Sequence, residues 1–298
     1  MNAPNVNHIT DDSNQLVKTS DLYETPQVIL IFKISPAGNT YLSMQRGAYP
    51  YHIGRLLKNT QTPDVMAMLL LQCTSGGLFE HDRISLQLTA MEDAIASVKH
   101  AAATVVHSSK EGGNAQSTMD IVADQNTYLE YVGNINILFP NSALINNINV
   151  SLHPNSMVLI SDTYLMHDPS QTAAHFSQLT TTLNVINADK KLLTRDRLVI
   201  DGPSLATQLS AVNNAFNTHS TLYLLIENNT DLQLAQILDS INTMITSLGL
   251  KTNDAYIGTG TLPNQCGVFI RLLSHSAEPV NHLVKGLSAI ARGYYFNK

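Results

Sequence analysis

Arg83-Ile84-Ser85-Leu86-Gln87-Leu88-Thr89-Ala90 places an apolar side chain at every second position. Side chains on a pleated strand point alternately to its two faces, so Ile84, Leu86, Leu88 and Ala90 predict a strand with one buried face. Just ahead of it, Thr74-Ser75-Gly76-Gly77-Leu78-Phe79-Glu80-His81-Asp82 sets two carboxylates and an imidazole side by side after a glycine pair. Three readings are open for that stretch: a turn, a metal site, or an acid–base pair built from Glu80, His81 and Asp82. Local spacing alone favours the turn.

The strand punctuation extends in both directions. Upstream, QVILIFKI, the turn SPAGN, TYLSMQ and, after a Tyr/Pro/Gly loop, VMAMLLLQC are short apolar runs separated by turn residues. Downstream, Met119, Ile121 and Ala123 alternate, Tyr128 to Val132 is β-branched and aromatic, and Leu144, Ile148, Val150 and Leu152 bracket the asparagine-rich INNINV. Further strands are predicted at Met157 to Ile160, Phe176 to Ile186, Leu192 to Ile200 and Leu222 to Ile226. Between them no helical pattern of the kind a βαβ sheet requires is present. The first three quarters of the chain therefore read as mainly β.

The last quarter changes period. Leu234, Ile237, Leu238, Ile241, Ile245 and Leu248 form one apolar stripe, with Thr230 or Asp231 as N-cap and Gly249 as the stop. A second helix is predicted in AEPVNHLVKGLSAIARG, with Pro279 in the first turn, Val280, Leu283, Val284, Leu287 and Ile290 on one face, and Gly293 at the end. Cys266 to Leu273 is a strand between the two. Met1 to Asp21 is polar and aperiodic and is expected to be a disordered tail, leaving residues 22–298 as a single domain.

Composition excludes several function classes. Charged residues make up 13% of the 298-residue chain, about half the usual share of roughly 25%, and Asn, Ser and Thr take the polar positions instead. The net charge is −6 and the 17 Lys and Arg form no run, which argues against nucleic acid and anionic membrane as partners. No secretory signal pattern and no membrane-length apolar segment is present, so a cytoplasmic protein is expected. Cys73 and Cys266 are the only cysteines, which supports neither a disulfide framework nor a structural zinc site.

Motifs for common chemistries are absent: there is no GxxxxGK[ST], GxSxG or HExxH. Gly258-Thr259-Gly260 lacks the third glycine of a dinucleotide loop and reads as a turn. The eleven histidines are scattered, and His81 stands out only because Glu80 and Asp82 flank it. Two further acids lie in apolar strand contexts: Glu130 in YLEYV and Asp162 at the end of MVLISD. An inward carboxylate is costly unless it is paired, hydrogen-bonded or hydrated. Glu130 falls on the face opposite Leu129 and Tyr131, so for it solvent exposure and paired burial stand level.

Taken in order, GGLFEHDRISLQL, AAATVVH, NAQ, YLEYVGNINILFPNSAL and IGTGTLPNQCGVFIRLL resemble the urease accessory protein UreD (UreH) family across roughly residues Asn39 to Arg292. The resemblance implies a mainly β, β-helix-like coil of strands with a few helices, two of them near the C-terminus. It implies a scaffold and nickel-delivery chaperone without turnover: UreD-like proteins bind a UreF-like helical protein, which recruits a UreG-like GTPase, and the assembly docks on apo-urease. Nickel would be in transit, with no permanent cofactor. By the same resemblance Asp82 matches the aspartate of the family's GDR turn, Glu130 the glutamate of LEY, and Asp162 an acidic position ahead of a later loop. These three, with His81, are the expected stops on a transient nickel path. The sequence departs from the family pattern at His81, where the family has glycine, at Val105 in place of the lysine of AATK, and at Met166-His167-Asp168-Pro169. A UreD-like paralogue serving another metal or a structural role is therefore the first alternative, and the Glu80, His81, Asp82 enzyme the second.

Overall fold

The computed structural model describes residues 25–57, 63–206, 215–227, 230–250 and 254–296. The predicted tail over residues 1–21 lies outside them. Sixteen strands among the described residues form two sheets. They are β1 (Val28–Ile34), β2 (Thr40–Gly47), β3 (Tyr51–Leu57), β4 (Ala67–Cys73), β5 (Arg83–Ala90), β6 (Ile95–His100), β7 (Thr104–Val106) and β8 (Ala115–Ala123). These are followed by β9 (Tyr128–Leu138), β10 (Ala143–Leu152), β11 (Met157–Met166), β12 (Gln178–Asn187), β13 (Leu192–Asp201), β14 (Thr218–Ile226), β15 (Ala255–Thr261) and β16 (Gly267–Ser274). The helices are α1 (Gly202–Ala206), α2 (Asp231–Ser247) and α3 (Glu278–Phe296).

The first sheet runs β13-β12-β10-β8-β5-β1-β2, and the second β15-β16-β14-β11-β9-β6-β4-β3 with β7 beside β9. From β4 to β12 the chain passes back and forth between the sheets, so β5, β8, β10 and β12 stack in parallel in one, and β4, β6, β9 and β11 in the other. Parallel neighbours need a long crossover, usually a helix. Here the crossover is a strand of the facing sheet, which is why the sequence has strand after strand with no helix between. The result is a β-solenoid-like coil.

The alternation of Ile84, Leu86, Leu88 and Ala90 points into this coil. Leu30, Leu88, Ile121, Val150 and Val185 occupy matched register positions on five adjacent strands, and all are buried. The solvent face of the same sheet carries a polar ladder in the same register. Asn149 Nδ2 donates to Asp120 Oδ1 at 2.9 Å, Asn184 Nδ2 to Asn149 Oδ1 at 3.0 Å, and Arg195 Nε to Asn184 Oδ1 at 2.7 Å. Two stacked neutral amides form the middle of this ladder, between Asp120 and Arg195 at its ends.

Corners of successive coils also stack. Asp93, Asn126 and Asn155 take left-handed φ values of 62°, 54° and 62° in equivalent turns, and Asn155 Nδ2 donates to Asn126 Oδ1 at 3.1 Å. Short amide and acid side chains tolerate that conformation best after glycine, so an asparagine-rich composition is what many tight corners demand.

The outer face of the second sheet is covered by α2 and α3, whose Leu234, Ile237, Ile241, Leu283 and Leu287 pack on Met157, Leu159, Leu222 and Leu224. With both faces covered, eight consecutive residues of β11 from Met157 to Tyr164 are buried. Thr230 caps α2 in a capping box with Gln233, and Gly249 follows its end at φ +60°. Two expectations need correction. Helix α3 continues through Gly293, because Tyr295 docks beyond it: its ring lies 5.2 Å from that of Tyr128 and its hydroxyl donates to the Asn126 carbonyl at 2.6 Å. That docking outweighs the roughly 1 kcal/mol a glycine costs in a helix. Gly258-Thr259-Gly260 is not a turn but part of the edge strand β15, where the Phe269 ring takes the space a side chain at Gly260 would need.

Candidate functional site

Beyond β11 the two sheets part, leaving a cavity of about 630 Å³ between β13 of the first and β14, β15 and β16 of the second. Its lining includes Asp162, Tyr164, Asp196, His219, Tyr223 and Arg271. Asp162 sits on the inward face of β11, in register with the buried Val158 and Ile160, and is 7% exposed. Thr181 donates its hydroxyl to Asp162 Oδ2 at 2.8 Å, and Asn146 Nδ2 lies 3.2 Å from Oδ1 and 2.9 Å from the Tyr164 hydroxyl. Burial raises the carboxyl to about 6, against the opposing pull of hydrogen bonds from Tyr164, Thr181 and Asn146. A single desolvated carboxylate at the edge of an open cavity can offer a cation one ligand and does not enclose it.

Nearer the mouth, Asp196 Oδ2 accepts from Arg271 Nη2 at 2.6 Å and from the Tyr223 hydroxyl at 2.8 Å. Burial lowers His219 to about 4, so its imidazole is neutral near pH 7. No cluster of three or more His, Cys, Asp or Glu arranged to hold a metal exists among the described residues.

The stretch before β5 is a corner of the coil. Asp82 is half-buried, and its Oδ2 accepts from the Phe79 backbone N–H at 2.8 Å, while Asp82 N–H returns to the Phe79 carbonyl at 3.0 Å. His81 takes φ +69°, the conformation glycine adopts most readily, and its side chain is 71% exposed. At Gly77, φ is +136° and a Cβ would overlap the Val105 carbonyl, so the glycine pair serves close backbone approach. Glu80 is surrounded by the Ser109 hydroxyl and the backbone N–H groups of Lys110, Glu111 and Gly113. With the Ser109 bond the largest cause, these donors hold its carboxyl at about 2. Held by these donors, Glu80 staples the 109–113 loop to the corner.

Glu130 faces the other way. It lies on the outer face of β9, fully buried, with Arg292 of α3 bridging both its oxygens at 2.7 Å. The Tyr128 and Ser97 hydroxyls donate to the same carboxylate at 2.7 and 2.9 Å. The four residues expected on one transient nickel path, Asp82, Glu130, Asp162 and His81, are not brought together at one point by the fold. Asp162 is inside the coil, Glu130 is locked on the opposite face of the same sheet, and Asp82 and His81 belong to an outer corner.

Asp196, His219, Arg271 and the Asn146–Thr181 pair were not singled out from sequence. Asn146 was within reach of that reading, since it shares the inward register of Leu144 and Ile148. Asp196 and Arg271 are 75 residues apart and meet only through the fold.

Among the described residues no helix is long and apolar enough to cross a membrane. The family model described as UreD urease accessory protein matches residues 27–298. The protein named Urease accessory protein UreD 1 of Pseudomonas syringae pv. syringae (strain B728a) is 34% identical over 248 residues, 83% of this chain and 84% of that one. Its namesake in Pseudomonas syringae pv. tomato (strain ATCC BAA-871 / DC3000) is 33% identical over 263 residues, 88% of this chain and 90% of that one. Urease accessory protein UreD 2 of Bradyrhizobium sp. (strain BTAi1 / ATCC BAA-1182) is 25% identical over 90% of this chain and 88% of its own. Matched by that family model over residues 27–298, the chain belongs to the UreD urease accessory protein family.

Proposed function

We propose that this chain is a non-enzymatic scaffold that passes nickel to apo-urease, working in the cytoplasm with a UreF-like helical protein and a UreG-like GTPase. The observation that carries the reading is Asp162: one buried carboxylate facing an open cavity at the end of the coil, with no closed ligand set beside it among the described residues. A site meant to hold a metal encloses it with three or four protein donors, whereas delivery requires a stop that lets go. Nickel, the cargo, suits carboxylate oxygen next to imidazole nitrogen. Asp82 and Glu130 serve this function indirectly, by shaping a corner and by fastening α3.

Complementation tests the proposal. The chain is expressed in cells lacking their own UreD, and urease activity and urease-bound nickel are measured. Restoration by the natural sequence and its loss in Asp162→Ala is the expected outcome. No restoration, together with a preparation that carries neither a UreF-like nor a UreG-like protein, would instead identify a paralogue with another role.

A further inference from the structure

The cavity holds more donor atoms than a one-carboxylate stop uses. Asp162 of β11 stands opposite Thr221 of β14, which stands opposite Arg271 of β16. Neighbouring strands are about 4.8 Å apart, so the Asp162 and Arg271 backbones are separated by about 10 Å along one row. Asp196 reaches this row from β13 of the facing sheet, and its Oδ2 is occupied by Arg271 Nη2 at 2.6 Å and by the Tyr223 hydroxyl at 2.8 Å. The guanidinium also lies over the Phe269 ring, 5.3 Å from its centroid, and is thus held from two sides. His219, opposite Tyr164, lines the same cavity, and its Nε2 is buried with no hydrogen-bond partner. A desolvated ring nitrogen with no partner lacks the compensation buried polar groups normally have, and a ligand bound by the neutral imidazole would supply it.

We propose that Arg271 keeps this cavity a weak, exchangeable cation site by holding Asp196 across the mouth, out of a three-donor set with Asp162 and His219. Two carboxylates and an imidazole together make a site that retains a borderline divalent cation; one carboxylate makes a site that releases it. Arg271 lowers the cavity's negative charge by one unit and occupies the second carboxylate, and both effects weaken cation binding. This inference rests on the reading of Asp162 as a stop for the cargo, and it names the side chain that sets how long the cargo stays.

The test is equilibrium dialysis of the purified full chain against Ni²⁺ alone, near neutral pH. Arg271→Gln is expected to tighten binding by roughly tenfold or more, and adding Asp196→Asn should return it to about the starting value. Unchanged affinity in Arg271→Gln, or a gain that survives Asp196→Asn, overturns the proposal. Should Arg271→Gln not fold, Asp196→Asn alone carries the test. It leaves an unpaired guanidinium beside Asp162, so binding should weaken several-fold, and equal or tighter binding overturns the role of Arg271. Asp162→Asn separates the two levels of inference. If Ni²⁺ binding ignores it, the reading of Asp162 falls as well; if binding depends on it while Arg271→Gln changes nothing, only the role of Arg271 is lost.

Discussion

Truncating Glu130 to alanine removes a carboxylate that takes four donors on the covered face of β9: two from Arg292 and one each from Tyr128 and Ser97. The Arg292 side chain is 17% exposed, so Glu130→Ala leaves a mostly buried cation and two hydroxyls without their acceptor. Breaking one partner of a buried pair costs about 3–5 kcal/mol. In urea denaturation, with a slope of about 3 kcal/mol per molar, a loss of about 4 kcal/mol lowers the midpoint by roughly 1.3 M. Arg292→Met is expected to cost a similar amount, because it strands the carboxylate. Glu130→Ala combined with Arg292→Met should cost less than the two single losses added, since the shared interaction is then counted once. A Glu130→Ala variant within about 1 kcal/mol of the natural chain would refute the lock. If such a stable variant also stopped nickel transfer to urease, Glu130 would return to the cargo's path.

Three other outcomes follow from the geometry. Asp162 binds its proton more tightly folded than unfolded, with a carboxyl raised from 3.8 to about 6. Its contribution to stability is therefore full below the lower value and is lost as pH rises through the upper one, by about 3 kcal/mol in all. In thermal melts Asp162→Asn should exceed the natural chain near pH 7 and match it at about pH 4; equal melting at both values would count against the burial of that charge. Gly77→Ala forces a Cβ into the Val105 carbonyl at a left-handed position and should lose at least about 2 kcal/mol, read by the same denaturation. His81→Gly relieves a left-handed φ and should gain about 1 kcal/mol while leaving urease activation unchanged; a drop in activation would make His81 a ligand.

Much of the secondary structure was legible in short windows. Alternation in RISLQLTA and in ALINNINVSL marked strands and their inward faces, and the 3.6-residue stripe with a Thr230 cap marked α2. Failures occurred where distant packing overrode a local signal. Gly293 is a stop by propensity, yet tyrosine docking carries α3 past it, and Gly258 and Gly260 read as a turn until Phe269 is seen covering one of them. For the candidate site, Asp162 was found as an acid in an apolar strand, and the family resemblance pointed to the same residue. The ambiguity over Glu130 could not be resolved locally, because its partner Arg292 lies 162 positions away.

By itself the sequence determined most of the elements, the absence of common enzyme motifs and, through ordered motifs, the family. Those features depend on neighbours a few residues apart, where backbone sterics and side-chain period dominate. Only the tertiary structure decided which carboxylate faces what. Coiling the strands between two sheets puts Asp162 inside and Glu130 outside on adjacent strands of the same sheet, and brings Asp196, His219 and Arg271 to one cavity. A buried charge takes its meaning from what surrounds it, and those surroundings are assembled from strands far apart in the chain.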